Sequence, residues 1–261
     1  MSQRKVPILV YHHVYPEGAP DLVEATFGTG AGIIGVDAFR RQMEHVADQG
    51  WTSVSTTQIV DWLIDGADLP DKAVALHFDN GWLDTVTVAL PLLNELGMSA
   101  TCFPITDAVE GATEGKSTAV RTLTEGVVEK PFVTWDQVQQ MQDSGWEIGA
   151  HTATHCKVGD VQESAGDEAV RQEAEEANEV FSRRLGSVPK HFAYPSGSRN
   201  EQSDRLLSEY YRSLRLWYFE WPVHWTFTEA GTSPQAVDCQ NIDMRVSSID
   251  FERIFVEAVA A

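Results

Sequence analysis

An α/β barrel is the architecture this sequence predicts, and three observations predict it. Short apolar runs alternate with segments of helical spacing along the chain. Such alternation implies parallel strands with helices outside. The length, 261 residues, fits one barrel or one large domain. Finally, the residues with the most chemistry sit just past strand-like runs, where one rim of a parallel barrel gathers them.

In chain order, Val6–Tyr11 is short and apolar, as a buried strand should be. Asp37 reads as a helix cap ahead of Phe39, Met43, Val46 and Ala47, with Gly50 closing. Thr52–Ser55 is a short strand and Thr57–Ile64 a helix. Ala73–Phe78 is the next strand. Leu83–Leu96 is a helix stopped by Gly97, with Pro91 a kink or a second start. Ala100–Ile105 is a strand.

Residues 107–131 then lose periodicity and are rich in Gly, Thr and Glu. A surface insertion or a lid beside the active site accounts for such a stretch. Thr134 caps the helix Trp135–Ser144, Gly145 stops it, and Trp146–Ala150 is a strand. Glu163–Leu185 reads as one long helix with Val170, Ala174, Ala177, Phe181 and Leu185 on one stripe, and Arg171 can pair with Glu175. Lys190–Tyr194 is a strand, Glu201–Tyr211 a helix, Arg215–Phe219 a strand and Ile249–Ala260 a closing helix. A single domain, 1–261, is expected.

The composition is 43% apolar and 22% charged, ample for a core. Net charge is −20, from 39 acidic and 19 basic residues, which argues against nucleic acid and anionic membrane partners. No apolar run approaches the roughly 18 residues of a membrane span. The first apolar stretch is too short for a signal peptide, so a cytoplasmic protein, or a mature form without its leader, is expected. Cys102, Cys156 and Cys239 are odd in number and widely spaced, which suggests reduced thiols rather than a disulfide framework. Cys156 follows His155, but adjacent side chains point apart, so a thiol nucleophile is poorly placed.

Three constellations carry chemistry. His77-Phe78-Asp79-Asn80-Gly81 ends a strand at a glycine. Asp-Asn-Gly is also good turn chemistry. His151-Thr152-Ala153-Thr154-His155 follows another strand, and two His four apart on one face of a helical turn can share a metal. Asp79 can then act as a base, its side chain reaching the rim. Ala193-Tyr194-Pro195-Ser196-Gly197 ends a third strand. Each is ordinary alone. Together, at successive strand ends, they point to a metal-dependent hydrolase. His12, at the end of the first strand, is expected in the pocket, because alternation turns only one of His12 and His13 inward. Trp82, directly after the first motif, is expected to contact substrate.

These motifs resemble the NodB-like polysaccharide deacetylases, carbohydrate esterase family 4. The family's first motif, Thr-Phe-Asp-Asp-Gly, is similar to His77–Gly81. Its second, His-Ser/Thr-x-x-His, matches His151–His155, and its Tyr-Pro-x-Gly form resembles Tyr194–Gly197. Pro7–His12 and Phe39–Trp51 resemble the poly-N-acetylglucosamine deacetylase-like branch. The likeness covers residues 6–218. It implies a distorted seven- or eight-stranded barrel that deacylates an N-acyl amine on a carbohydrate or related small molecule. Carried over, Asp79 is the catalytic base. Asn80, His151 and His155 hold a divalent metal, zinc first, with cobalt or nickel as alternatives. The Tyr194 N–H stabilises the oxyanion, and Pro195 borders the substrate. Two departures stand out. Asn80 replaces a metal-binding Asp, and a neutral ligand attracts a cation less. The late Leu-x-His is missing, because Asn241–Val246 has no His, and His224 is the available substitute for the general acid. An allantoinase-like or cyclic-imide-hydrolase-like C–N hydrolase on the same barrel is the alternative, and a non-catalytic sugar-binding barrel the third reading.

Overall fold

The structure, a computed structural model, describes residues 4–26, 30–218 and 225–259. Eight short strands build the site: β1 Ile8–Tyr11, β2 Thr52–Ser53, β3 Ala73–Asn80, β4 Thr101–Pro104, β5 Glu147–Ile148, β6 His191–Ala193, β7 Ser213–Arg215 and β8 Gln240–Asn241. β1 and β3 are buried throughout. Strands covered on both faces need apolar residues at every position rather than alternating ones, which is why these two stand out in the sequence.

Pairing runs β8–β1–β3–β4–β5, all parallel, with Ile8 opposite Ala75 and Asp79 opposite Phe103. β2 pairs with the first residues of β3. Beyond β5, single parallel bridges replace ladders. Ala150 meets Phe192 of β6, β6 pairs with β7, and Arg215 meets Val237, just ahead of β8. The ring is thus carried round by isolated bridges instead of one continuous sheet, which is how the barrel is distorted. Inside it, Ile8, Val10, Ala73, Ala75, Val237 and Cys239 pack together. Outward, Leu9, Tyr11, Leu76 and Phe78 pack against Phe39, Met43 and Val46 of the helix Val36–Asp48.

Several elements differ from the sequence reading. Asp37 is not a cap: extended Gly35 ends a strand and passes straight into the helix, and the Asp37 N–H donates to Glu17 instead. The expected helix 83–96 carries a π-helical stretch, Thr85–Ala89, after its first two residues, and Pro91 lies at the start of the α-helix that follows, Leu90–Glu95. The long helix divides into Val158–Ala165 and Asp167–Leu185, because Gly166 sits at φ 87 between them. Arg171 reaches Glu209, while Glu175 accepts from the Tyr210 hydroxyl. Thr134 does cap Trp135–Asp143, with Gln137 completing a reciprocal capping box. Residues 107–131 are not featureless. The helix Thr106–Thr113 leads into an antiparallel hairpin, Val120–Thr122 with Gly126–Val128. No helix among the described residues is long and apolar enough to cross a membrane.

Candidate active site

Asp79 and Asn80 are the last two residues of β3, and the chain turns at once. Asn80 lies at φ 73 and Gly81 at φ 78, the left-handed region. Asn tolerates that conformation better than most residues. At Gly81 a Cβ would also lie 2.9 Å from the Pro104 Cβ. The turn reading and the site reading of Asp-Asn-Gly are therefore the same fact: the turn ends the strand where Asp79 faces the barrel mouth. Asp79 is nonetheless buried rather than free at the rim. The Arg215 Nη2 donates to both its oxygens, at 2.5 and 2.6 Å. Burial would push the carboxyl up, but the Arg215 guanidinium, His151 and His12 outweigh it and bring the pKa to about 2.

His151 and His155 lie side by side, ring centroids 5.1 Å apart. The segment between them is not the helical turn expected. Thr152 lies at φ 64 and His155 at φ 63, and an irregular loop brings the rings together. Each Nδ1 points at a backbone carbonyl 2.8 Å away, His151 at Ala193 and His155 at Arg121. A carbonyl only accepts, so each Nδ1 carries the hydrogen and each Nε2 keeps its lone pair. That is how metal-ligating imidazoles are oriented. The Asn80 Oδ1 is buried with no hydrogen-bond partner among the described residues. Two lone-pair nitrogens and an unclaimed amide oxygen on one cavity fit a borderline divalent cation. Among the described residues, no group of three or more His, Cys, Asp or Glu could hold a metal ion. The third donor here would be an amide.

The cavity is lined by His12, His13, Asp79, Asn80, Trp82, His151, His155, Ser196 and Trp217, with Thr122–Glu125 from the hairpin as a further wall. His12 borders the cavity as expected, but His13 borders it too, so strand alternation does not separate the pair. The His12 Nε2 lies 3.8 Å from Asp79 Oδ2. Burial lowers its pKa to about 4 against the pull of Asp79, so the ring is neutral. Trp82 borders the cavity, but it also stacks on Phe132 and on His13, at 4.3 and 4.5 Å. Two of its neighbours thus already cover ring surface that a sugar would need.

The third motif departs most. The Tyr194 N–H donates to the Arg215 carbonyl at 3.1 Å, so it is spent on the barrel and is not free for an oxyanion. The Tyr194 hydroxyl donates to Asp204, and neither Tyr194 nor Pro195 borders the cavity. Ser196, at φ 54, is the residue of that turn that does. His224 lies outside the described residues. Cys156 does not border the cavity, and burial pushes its thiol pKa far up, against a nucleophile.

Arg215 was not singled out from the sequence. The signal was there: one arginine in the apolar run Leu214-Arg215-Leu216-Trp217 must find a buried anion. For the hairpin the signal was the lost periodicity of 107–131, which gave a lid beside the site as one reading; Thr122–Glu125 themselves have the composition of any polar loop.

The buried imidazoles set an acid limit on stability. Burial holds His151 at about 3 and His12 at about 4. The unfolded chain protonates near 6.5, so below that pH it binds more protons than the folded one. Stability is complete above about pH 6.5 and falls as pH drops towards 4 and 3. The slope approaches about 1.4 kcal/mol per pH unit for each ring. The expected result is a melting temperature that declines steadily from pH 6.5 to 4.5. A flat profile there would mean that the rings are solvated.

Residues 66–212 match the family described as polysaccharide deacetylase. The provisionally named polysaccharide deacetylase YxkH of Bacillus subtilis (strain 168) is 23% identical over 200 residues, 76% of this chain and 59% of that protein. The poly-beta-1,6-N-acetyl-D-glucosamine N-deacetylase of Escherichia coli (strain K12) is 31% identical over 116 residues, 44% of this chain and 17% of that protein. This chain therefore spans less than two thirds of the length of each of these curated relatives. Among solved structures, the Streptococcus pyogenes deacetylase PplD, in complex with acetate, superposes with TM-score 0.77 at 20% identity, covering 97% of this chain and 99% of that one. The likeness is one of fold, a distorted (β/α) barrel.

Proposed function

Because the chain belongs to the polysaccharide deacetylase family, we propose that it hydrolyses the amide of an N-acetylated amino sugar in a carbohydrate. The observation that carries this reading is the meeting of Asp79, His12 and the His151–His155 pair in one cavity. His151, His155 and Asn80 would hold a divalent metal, zinc first. When bound, such an ion polarises an acyl carbonyl and makes water easier to ionise.

The chain's own groups divide the proton traffic. Asp79 is ionised and takes a proton from the attacking water. Water oxygen bonds to the carbonyl carbon, and the carbon–nitrogen bond then breaks. The leaving nitrogen needs one proton, the one Asp79 accepted. His12, neutral and 3.8 Å from Asp79, carries it across. Its depressed pKa makes the imidazolium a strong acid towards an amine. His12 thereby fills the place left by the missing Leu-x-His. Ser196, the residue of the third motif that borders the cavity, would stand on the oxyanion side in place of Tyr194, and Trp217 with Leu123 would offer the acyl methyl an apolar wall.

The test is a screen of N-acetyl sugars, ureides and cyclic imides, with and without added zinc. Acetate release from the sugars supports the reading, and turnover of a ureide or imide alone replaces it with the allantoinase-like or imide-hydrolase-like alternative. Asn80→Asp is expected to tighten zinc, since it adds a charged oxygen where Oδ1 has no partner. Competition with a chelator measures it. Equal or weaker affinity would mean that residue 80 does not face the ion.

A further inference from the structure

The two cavity imidazoles are anchored unequally. His151 is held by the carbonyl of Ala193, at the end of β6 in the barrel wall. His155 is held by the carbonyl of Arg121, 34 residues away on the hairpin. His155 also sits at φ 63 in an irregular loop, so no regular element orients it. A two-stranded hairpin is marginal by itself. This one is seated at its base by Val120 and Val128, which pack with Trp82 and Phe132.

The hairpin's tip is fixed differently. The Glu125 carboxylate pairs with the Lys130 ammonium and faces the His13 Nε2 at 3.7 Å. Lys130 continues to Asp21, at 3.0 Å, and to the Tyr15 hydroxyl. His13 is itself held by Asp84 at 2.8 Å and lies between the rings of Trp82 and Tyr15. Burial alone would raise the Glu125 carboxyl, yet His13 and Lys130 bring it to about 2, so the charge is firmly kept.

The geometry points to Glu125 as a positioning residue: by pinning the hairpin tip to Lys130 and His13, it holds the Arg121 carbonyl on His155 and fixes which ring nitrogen is left for the cavity. Its consequence for metal binding rests on the function proposed above; the orientation of the ring does not. Glu125 touches no reacting atom in this account. It makes the cavity wall and the ligand geometry one unit, so that a displaced hairpin disorders His155 while His151 stays in place.

The experiment compares wild type with Glu125→Gln and Lys130→Met, each as the full metal-free chain. Ring 15N spectra report the tautomers of His151 and His155. Wild type is expected to show the Nδ1–H form for both. In the two variants His155 should become a mixture of tautomers, while His151 keeps one. Zinc affinity, read by chelator competition, should then fall about tenfold, the lower end of what outer-shell partners contribute. A single, unchanged His155 tautomer in both variants overturns the inference. So does a parallel change in both rings, which would signal general loosening. If wild type takes up no zinc, the hydrolase reading fails, while the tautomers still decide this one.

Discussion

Asp79→Asn is expected to lower kcat for amide hydrolysis by about 10²–10⁴, the usual cost of removing a general base. Two effects are joined in that number. The amide cannot take the water proton, and nothing is then left for His12 to pass to the leaving nitrogen. At the rim position that the sequence suggests, this nearly isosteric change would abolish hydrolysis and leave the fold intact. The structure predicts otherwise for stability, because Asp79 is the buried partner of a buried arginine. Its loss leaves the Arg215 guanidinium in the barrel without an anion, so the melting temperature should also fall. Zinc content measured in parallel separates lost chemistry from lost metal. Near-normal kcat at full zinc occupancy would remove Asp79 from the mechanism.

Arg215→Met should be the more damaging change to the fold. Breaking a buried ion pair from one side costs about 3–5 kcal/mol, because the remaining charge is stranded. For a domain of this size each kcal/mol moves the melting temperature about 2–4 °C, so a drop on the order of 10 °C is expected. Removing the cation also lifts the Asp79 pKa from about 2. The acid limb of kcat/KM should therefore shift to higher pH. The double variant Asp79→Asn/Arg215→Met strands no charge and should be less destabilised than the sum of the two single changes. Strict additivity would mean that the pair does not act as a unit.

The barrel was legible in the sequence because its strands are buried on both faces. Ile8–Tyr11 and Ala73–Phe78 read as unbroken apolar runs, and helices with capping boxes, such as Trp135–Asp143, announced their own starts. Boundaries were lost where a single residue decided them. Gly166 at φ 87 ends one helix and starts the next, and the apolar stripe from Val170 to Phe181 lies wholly in the second. The site was legible as far as its motifs are local in sequence. Asp79, Asn80, His151 and His155 belong to that part, and so does His12 as the end of the first strand, although His13 borders the cavity with it. A spacing of four predicts a helical turn for the His pair, whereas two left-handed residues, Thr152 and His155, bring the rings together. Arg215, 136 residues from Asp79, and the Arg121 carbonyl, 34 from His155, are long-range contacts that only the folded chain brings together. The N–H of Tyr194, expected at the oxyanion, donates to the Arg215 carbonyl, another long-range contact that motif reading does not contain.

The most direct measurement is acetate release from an oligomer of an N-acetylated amino sugar by the purified chain, with free amines counted in the same sample. Zinc-loaded wild type should release acetate and expose amines one for one. Both signals should disappear with a chelator and in Asp79→Asn, and return when zinc is restored to wild type. Release that survives in Asp79→Asn at full zinc, or no release from any N-acetyl sugar by the zinc-loaded chain, would contradict the account.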